Sequence, residues 1–126
     1  MNIRKLTVRE RFRSFRHAVD GIAYVVSTQP NVVIIAAATV VVIAAGCWFR
    51  VSLVEWGLLA VAVFAVWMAE TINTAIESLT DLASPDRHPL AKRAKDTAAG
   101  AVLLAAVLAL ILGVVVFLPR LIPFLG

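Results

Sequence analysis

Three long stretches of this chain carry almost no charge: 30–49, 51–69 and 97–119, broken only by Glu55 in the second. At a rise of about 1.5 Å per residue, about 20 helical residues cover the roughly 30 Å hydrocarbon core of a bilayer. Backbone inside hydrocarbon must satisfy its own hydrogen bonds, so runs of this kind form helices. Composition agrees: 61% of the residues are hydrophobic and 16% charged, against about half and about a quarter in soluble domains. A soluble globular fold, a disordered chain and a disulfide scaffold are thereby excluded as expectations. With 126 residues the chain has room for one domain (1–126), built from membrane helices and their short connections. Only Arg50, Val51 and Ser52 part the first two stretches, so an antiparallel hairpin is expected there. No short apolar core ending in a small-residue cleavage site follows the basic start, so no signal peptide is expected.

The basic residues give an orientation. Arg4, Lys5, Arg9, Arg11, Arg13 and Arg16 precede the first span, and Arg87, Lys92, Arg93 and Lys95 lie between the second and third. The other side has only Arg50 and Arg120. The N-terminus and the 78–96 loop are therefore expected in the cytoplasm and the C-terminus outside. This flanking placement reads as a membrane pattern and not as a nucleic-acid surface. Cys47 has no second cysteine to pair with and, within an apolar run, reads as a small buried thiol.

Before the first span, Val8, Phe12, Phe15, Val19, Ile22 and Val26 recur at spacings of four and three, one face of a helix. Arginines fill much of the remainder. The segment 1–29 thus reads as a basic amphipathic helix in the membrane interface or packed on the bundle.

Chemistry concentrates where the second span ends. Glu70, Asn73, Glu77 and Asp81 sit at i, i+3, i+7 and i+11, along one stripe if the helix continues. Glu70 is deepest, and Glu77 lies about 10 Å further along the axis. Two carboxylates at different depths suit two roles, one toward a lipid group and one toward a water-borne cation. Glu70 can equally be read as reaching headgroups or pairing with Lys95. Ser84-Pro85-Asp86 is turn chemistry, and from Leu90 a helix is expected to run into the third span. His88, Lys92 and Lys95 offer donors to phosphate, or serve only as cytoplasmic anchors. Hard oxygen ligands suit Mg²⁺, which commonly accompanies substrate phosphates. No glycine-rich phosphate loop is present.

The run from Glu70 to Glu77, then Asp81, then His88-Pro89-Leu90-Ala91-Lys92-Arg93-Ala94-Lys95-Asp96, resembles the prokaryotic diacylglycerol kinase family, which includes undecaprenol kinases. The resemblance spans roughly 10–118. It implies an all-α integral membrane protein: an N-terminal surface helix plus three transmembrane helices, working as a homotrimer in the bacterial inner membrane. It implies transfer of the γ-phosphate of ATP, with Mg²⁺, to a lipid hydroxyl, that of diacylglycerol or of undecaprenol. Carried over by position, Glu70 is the catalytic base, and Glu77 binds metal and nucleotide. His17, Gln29, Asp86, Arg87, His88, Lys95 and Asp96 contact ATP, while Trp48, Asn73 and Ala99, with Glu70, face the lipid. Gln29 stands where members usually carry a metal-binding Glu, so it keeps a carbonyl oxygen and loses a charge. Val33 and Ile35 replace residues that are usually polar. The loop around Ser84-Pro85 and His88-Pro89 looks more like the undecaprenol kinase branch. Two other classes fit the residues alone: a small proton-coupled transporter using Glu70, and a non-catalytic membrane assembly protein.

Overall fold

The computed structural model describes residues 8–125, so Arg4 and Lys5 of the basic cluster lie outside the described residues. Four helices follow one another: α1 (Val8–Thr28), α2 (Asn31–Trp48), α3 (Leu53–Ala83) and α4 (Pro89–Leu125). Stretches within α2, α3 and α4 (Asn31–Trp48, Leu53–Ala83 and Pro89–Pro123) are long and apolar enough to cross a membrane. Most large apolar side chains on them are exposed, among them Ile34, Val41, Phe64, Leu104 and Leu110. That is the surface of helices whose solvent is hydrocarbon.

α3 and α4 pack along most of their length, while α1 and α2 touch α3 over shorter stretches. The α3–α4 pair is antiparallel and tied at both ends by charge. At one end Lys95 pairs with Asp81. At the other, the Arg120 guanidinium donates to both Glu55 carboxylate oxygens, each at 2.7 Å.

The α2–α3 corner shows why four residues, 49–52, suffice for a reversal. Val51 N–H donates to Gly46 O at 3.1 Å and Arg50 N–H to Cys47 O at 3.2 Å. Arg50 takes a left-handed φ of 48°. Together these form a Schellman turn, with Arg50 at the position usually given to glycine. Val51 then packs in the core with Leu59 and Val116. Ser52 starts α3 with a reciprocal cap: its hydroxyl accepts from Glu55 N–H, and Glu55 Oε2 accepts from Ser52 N–H at 2.7 Å.

α2 meets α3 where Trp67 Nε1 donates to Thr39 Oγ1 at 3.1 Å, and where Gly46 faces the Trp56 indole. A Cβ on Gly46 would lie 2.5 Å from that ring. Gly46→Ala is therefore expected to destabilise the protein by about 1–3 kcal/mol through overpacking. Gly57→Ala, with nothing within 4 Å of its Cβ, is expected to be neutral or slightly stabilising. Unfolding in detergent or nanodiscs, compared between the two variants, checks this.

One expectation here needs correction. Cys47 is exposed, because buried Gly46 turns inward and the next helical residue is rotated by about 100°. The helix that carries the third stretch is longer than the stretch: α4 continues through Pro119 and Pro123 to Leu125. A proline inside a helix removes a backbone bond. Beside it, the Arg120 guanidinium donates to Val116 O at 2.7 Å as well as to Glu55.

Candidate active site

The helical continuation of α3 to Ala83 sets the acidic stripe on one face. Glu70 is 1% exposed, and Asn73 and Thr74 are buried beside it. Thr74 Oγ1 donates to Glu70 O at 2.9 Å. Glu70 Oε1 accepts from Asn31 Nδ2 at 3.4 Å, across from the start of α2. Its other oxygen, Oε2, has no hydrogen-bond partner among the described residues. Asn73 Nδ2 donates to Glu77 Oε1 at 3.3 Å, which leaves Asn73 Oδ1 equally without a partner. Buried polar atoms are nearly always satisfied, and leaving one bare costs about 1–3 kcal/mol. Glu70 and Asn73, about one helical turn apart, each keep one such acceptor on the same face of α3.

Further along, Asp81, Asp86, Arg87, His88, Lys92 and Lys95 line a cleft of about 650 Å³. The α3–α4 connection shapes it. Ser84 Oγ donates to Asp86 O at 3.0 Å. His88 caps α4, its Nδ1 accepting from Leu90 N–H at 3.2 Å, with Pro89 in the first helical position, where a missing N–H does no harm. Lys95 does not pair with Glu70; it holds Asp81, 11 residues or about 16 Å further along the same helix. Asp96 pairs with Lys92.

The structure thus gathers Asp86, Arg87, His88 and Lys95 around one cleft, with Asp96 beside it. Glu77 lies one turn below Asp81 on the side toward Glu70. It does not bring every candidate there within one chain. His17 is exposed on α1, 3.9 Å from Asp20. Gln29 sits at the α1–α2 corner with its amide on Thr28 Oγ1 at 3.4 Å. Trp48, 81% exposed, ends α2, about 26 Å along the axis from Asn31 and hence from Glu70. Ala99 is exposed one turn beyond Lys95 on α4. Among the described residues no three His, Cys, Asp or Glu side chains converge on one metal position.

Asn31 was absent from the sequence-derived site. An Asn opening a helix reads as a local cap, and only the fold shows its amide crossing to α3. Between α2, α3 and α4 runs a separate apolar cleft of about 600 Å³, with Ile35, Ala38, Val42, Ala106 and Phe117 in its walls.

Residues 16–117 match the family described as prokaryotic diacylglycerol kinase. The chain belongs to the prokaryotic diacylglycerol kinase family. Similar proteins include an undecaprenol kinase of Bacillus subtilis (strain 168), 42% identical over 87% of this chain and 89% of that one. A diacylglycerol kinase of Synechocystis is 43% identical over 86% of this chain and 62% of its own length. A diacylglycerol kinase of Helicobacter pylori is 32% identical over 76% of this chain and 75% of that protein. As a member of the prokaryotic diacylglycerol kinase family the chain is a membrane lipid kinase, which sets aside the transporter and non-catalytic readings.

Proposed function

We propose that the protein transfers the γ-phosphate of ATP to the hydroxyl of diacylglycerol, giving phosphatidic acid. The observation that carries this reading is the bare Oε2 of buried Glu70, on the helix face that leads through Asn73 and Glu77 to the cleft of Asp86, Arg87, His88 and Lys95. Glu70 Oε2 accepts the proton of the lipid hydroxyl as that oxygen bonds to the γ-phosphorus. The bond from the γ-phosphorus to the bridging oxygen breaks, and ADP leaves. Lys95, released from Asp81, and Arg87 neutralise phosphate charge. Phosphoryl transfer depends mainly on such positioning and charge compensation. The carboxylate and amide oxygens of Glu77 and Gln29 are hard donors of the kind Mg²⁺ takes alongside phosphate oxygens and water. Glu77, with Gln29 supplying a carbonyl, would hold that ion, whose charge offsets that of the triphosphate.

In this reading the N-terminus and the 78–96 loop face the cytoplasm of a bacterial inner membrane, and the C-terminus lies outside. α1 rests in the interface, with exposed Phe12, Phe15 and Ile22 toward the lipid. A homotrimer brings His17 and Gln29 of one subunit toward the cleft of another. Ala99 and Asn73 meet the lipid near Glu70. Trp48 contacts only the far end of a tail.

Undecaprenol is the second acceptor with an observation behind it. The match to the Bacillus subtilis undecaprenol kinase covers 89% of that protein, and the Ser84 to Lys92 loop resembles the undecaprenol kinase branch. An acceptor panel decides between them. The full-length protein in bilayers receives γ-labelled ATP, Mg²⁺ and either diacylglycerol or undecaprenol. Labelled phosphatidic acid in excess supports the first reading, and labelled undecaprenyl phosphate in excess supports the second. No labelled lipid at any Mg²⁺ concentration overturns both.

A further inference from the structure

We infer that Asn31 is a positioning residue for Glu70: its amide, carried on the first turn of α2, holds one carboxylate oxygen so that the other faces the acceptor hydroxyl. This rests on Glu70 being the base.

The geometry comes from the α1–α2 corner. Gln29 N–H closes α1 on Val25 O at 3.0 Å, and Gln29 O accepts from Val32 N–H at 3.2 Å. Pro30 follows with φ −64° and ψ −31°, and α2 begins without a side-chain cap. Val25 and Val32, on either side of the corner, are both buried, so the corner is anchored. The backbone of Asn31, an exposed residue, is thus held by the corner, yet its side chain does not serve its own helix. It reaches α3 instead, Nδ2 to Glu70 Oε1 at 3.4 Å. An ionised carboxylate only accepts, so the amide must present its NH₂. Glu70 is 1% exposed, which leaves little water to orient it. The asymmetry is the point: Oε1 is held, and Oε2 has no partner among the described residues. The partial positive charge at the start of α2 acts in the same direction. A carboxylate fixed in this way meets the hydroxyl with its lone pair already aimed.

The test separates donation from shape. Asn31→Ala and Asn31→Asp are measured in nanodiscs as full-length protein, with Glu70→Gln in parallel, for kcat, for KM of ATP and for thermal unfolding. Asn31→Ala is expected to lower kcat about tenfold, the effect of losing one hydrogen bond to a charged group, with KM for ATP and unfolding temperature unchanged. Asn31→Asp is nearly isosteric and, as an acid in the first turn, favours the helix; a structural role predicts wild-type turnover. A donor role predicts a larger loss of kcat, about 100-fold, because the amide is replaced by a second carboxylate facing the first. Wild-type kcat in Asn31→Asp, or a loss in Asn31→Ala that only follows a lowered unfolding temperature, overturns the assignment while an inactive Glu70→Gln keeps the base in place. Turnover by Glu70→Gln overturns both.

Discussion

Glu70→Gln is expected to lower lipid phosphorylation by about 10²–10⁴-fold, the span of a lost general base, and to leave ATP binding within about twofold of wild type. The substitution changes little else. Gln has the shape of Glu, its carbonyl can still accept from Asn31, and the backbone bond from Thr74 (2.9 Å) is untouched. What disappears is an oxygen able to take the hydroxyl proton. The cleft proposed for the nucleotide begins at Asp81, about 16 Å along α3 from Glu70, so ATP affinity has no reason to change. Turnover with labelled ATP and equilibrium nucleotide binding, measured on one preparation, check both halves. Wild-type turnover would remove Glu70 from the chemistry.

Glu77→Gln separates the second carboxylate from the first. It is expected to raise KM for Mg²⁺–ATP by at least about tenfold, since weakening a metal's surroundings commonly changes affinity by 10–100-fold. Excess Mg²⁺ should recover part of the lost activity, which no concentration of Mg²⁺ should do for Glu70→Gln. Asn73 couples the two sites, because its amide donates to Glu77 Oε1 at 3.3 Å while its own oxygen stays bare. Restoring a charge at the corner, Gln29→Glu, should move the Mg²⁺ titration in the opposite direction. A Mg²⁺ dependence unaltered in both variants would take Glu77 and Gln29 out of the metal site together.

The membrane helices were legible because hydrocarbon tolerates so few charges: an uncharged run of sufficient length has almost no other fate. The stripe of Glu70, Asn73 and Glu77 was legible for a second reason. Helical periodicity places residues on a face without any knowledge of what that face meets. The partners were not legible. Lys95 was as free, by spacing, to meet Glu70 as Asp81. The antiparallel register of α3 on α4, tied at Glu55–Arg120 (2.7 Å), decides for Asp81. Trp48, assigned to the site by resemblance, and Asn31, which the sequence did not assign there, stand at opposite ends of α2, and it is Asn31 that meets Glu70. Cys47 looked buried because its neighbours are apolar, but in a membrane protein apolar neighbours also face outward.

What the linear order of residues settled is whatever depends on local periodicity and on transfer to hydrocarbon: the helices long and apolar enough to span, the acidic face at one end of α3, and the turn before α4. What only the packed chain decided is which polar atoms are satisfied. Asn31 reaches Glu70 across 39 positions of sequence, and the bare oxygen that results belongs to neither helix alone. Hydrogen bonding is directional and short-ranged, so it is set by the last few ångströms of packing, which a pattern of residue types does not encode.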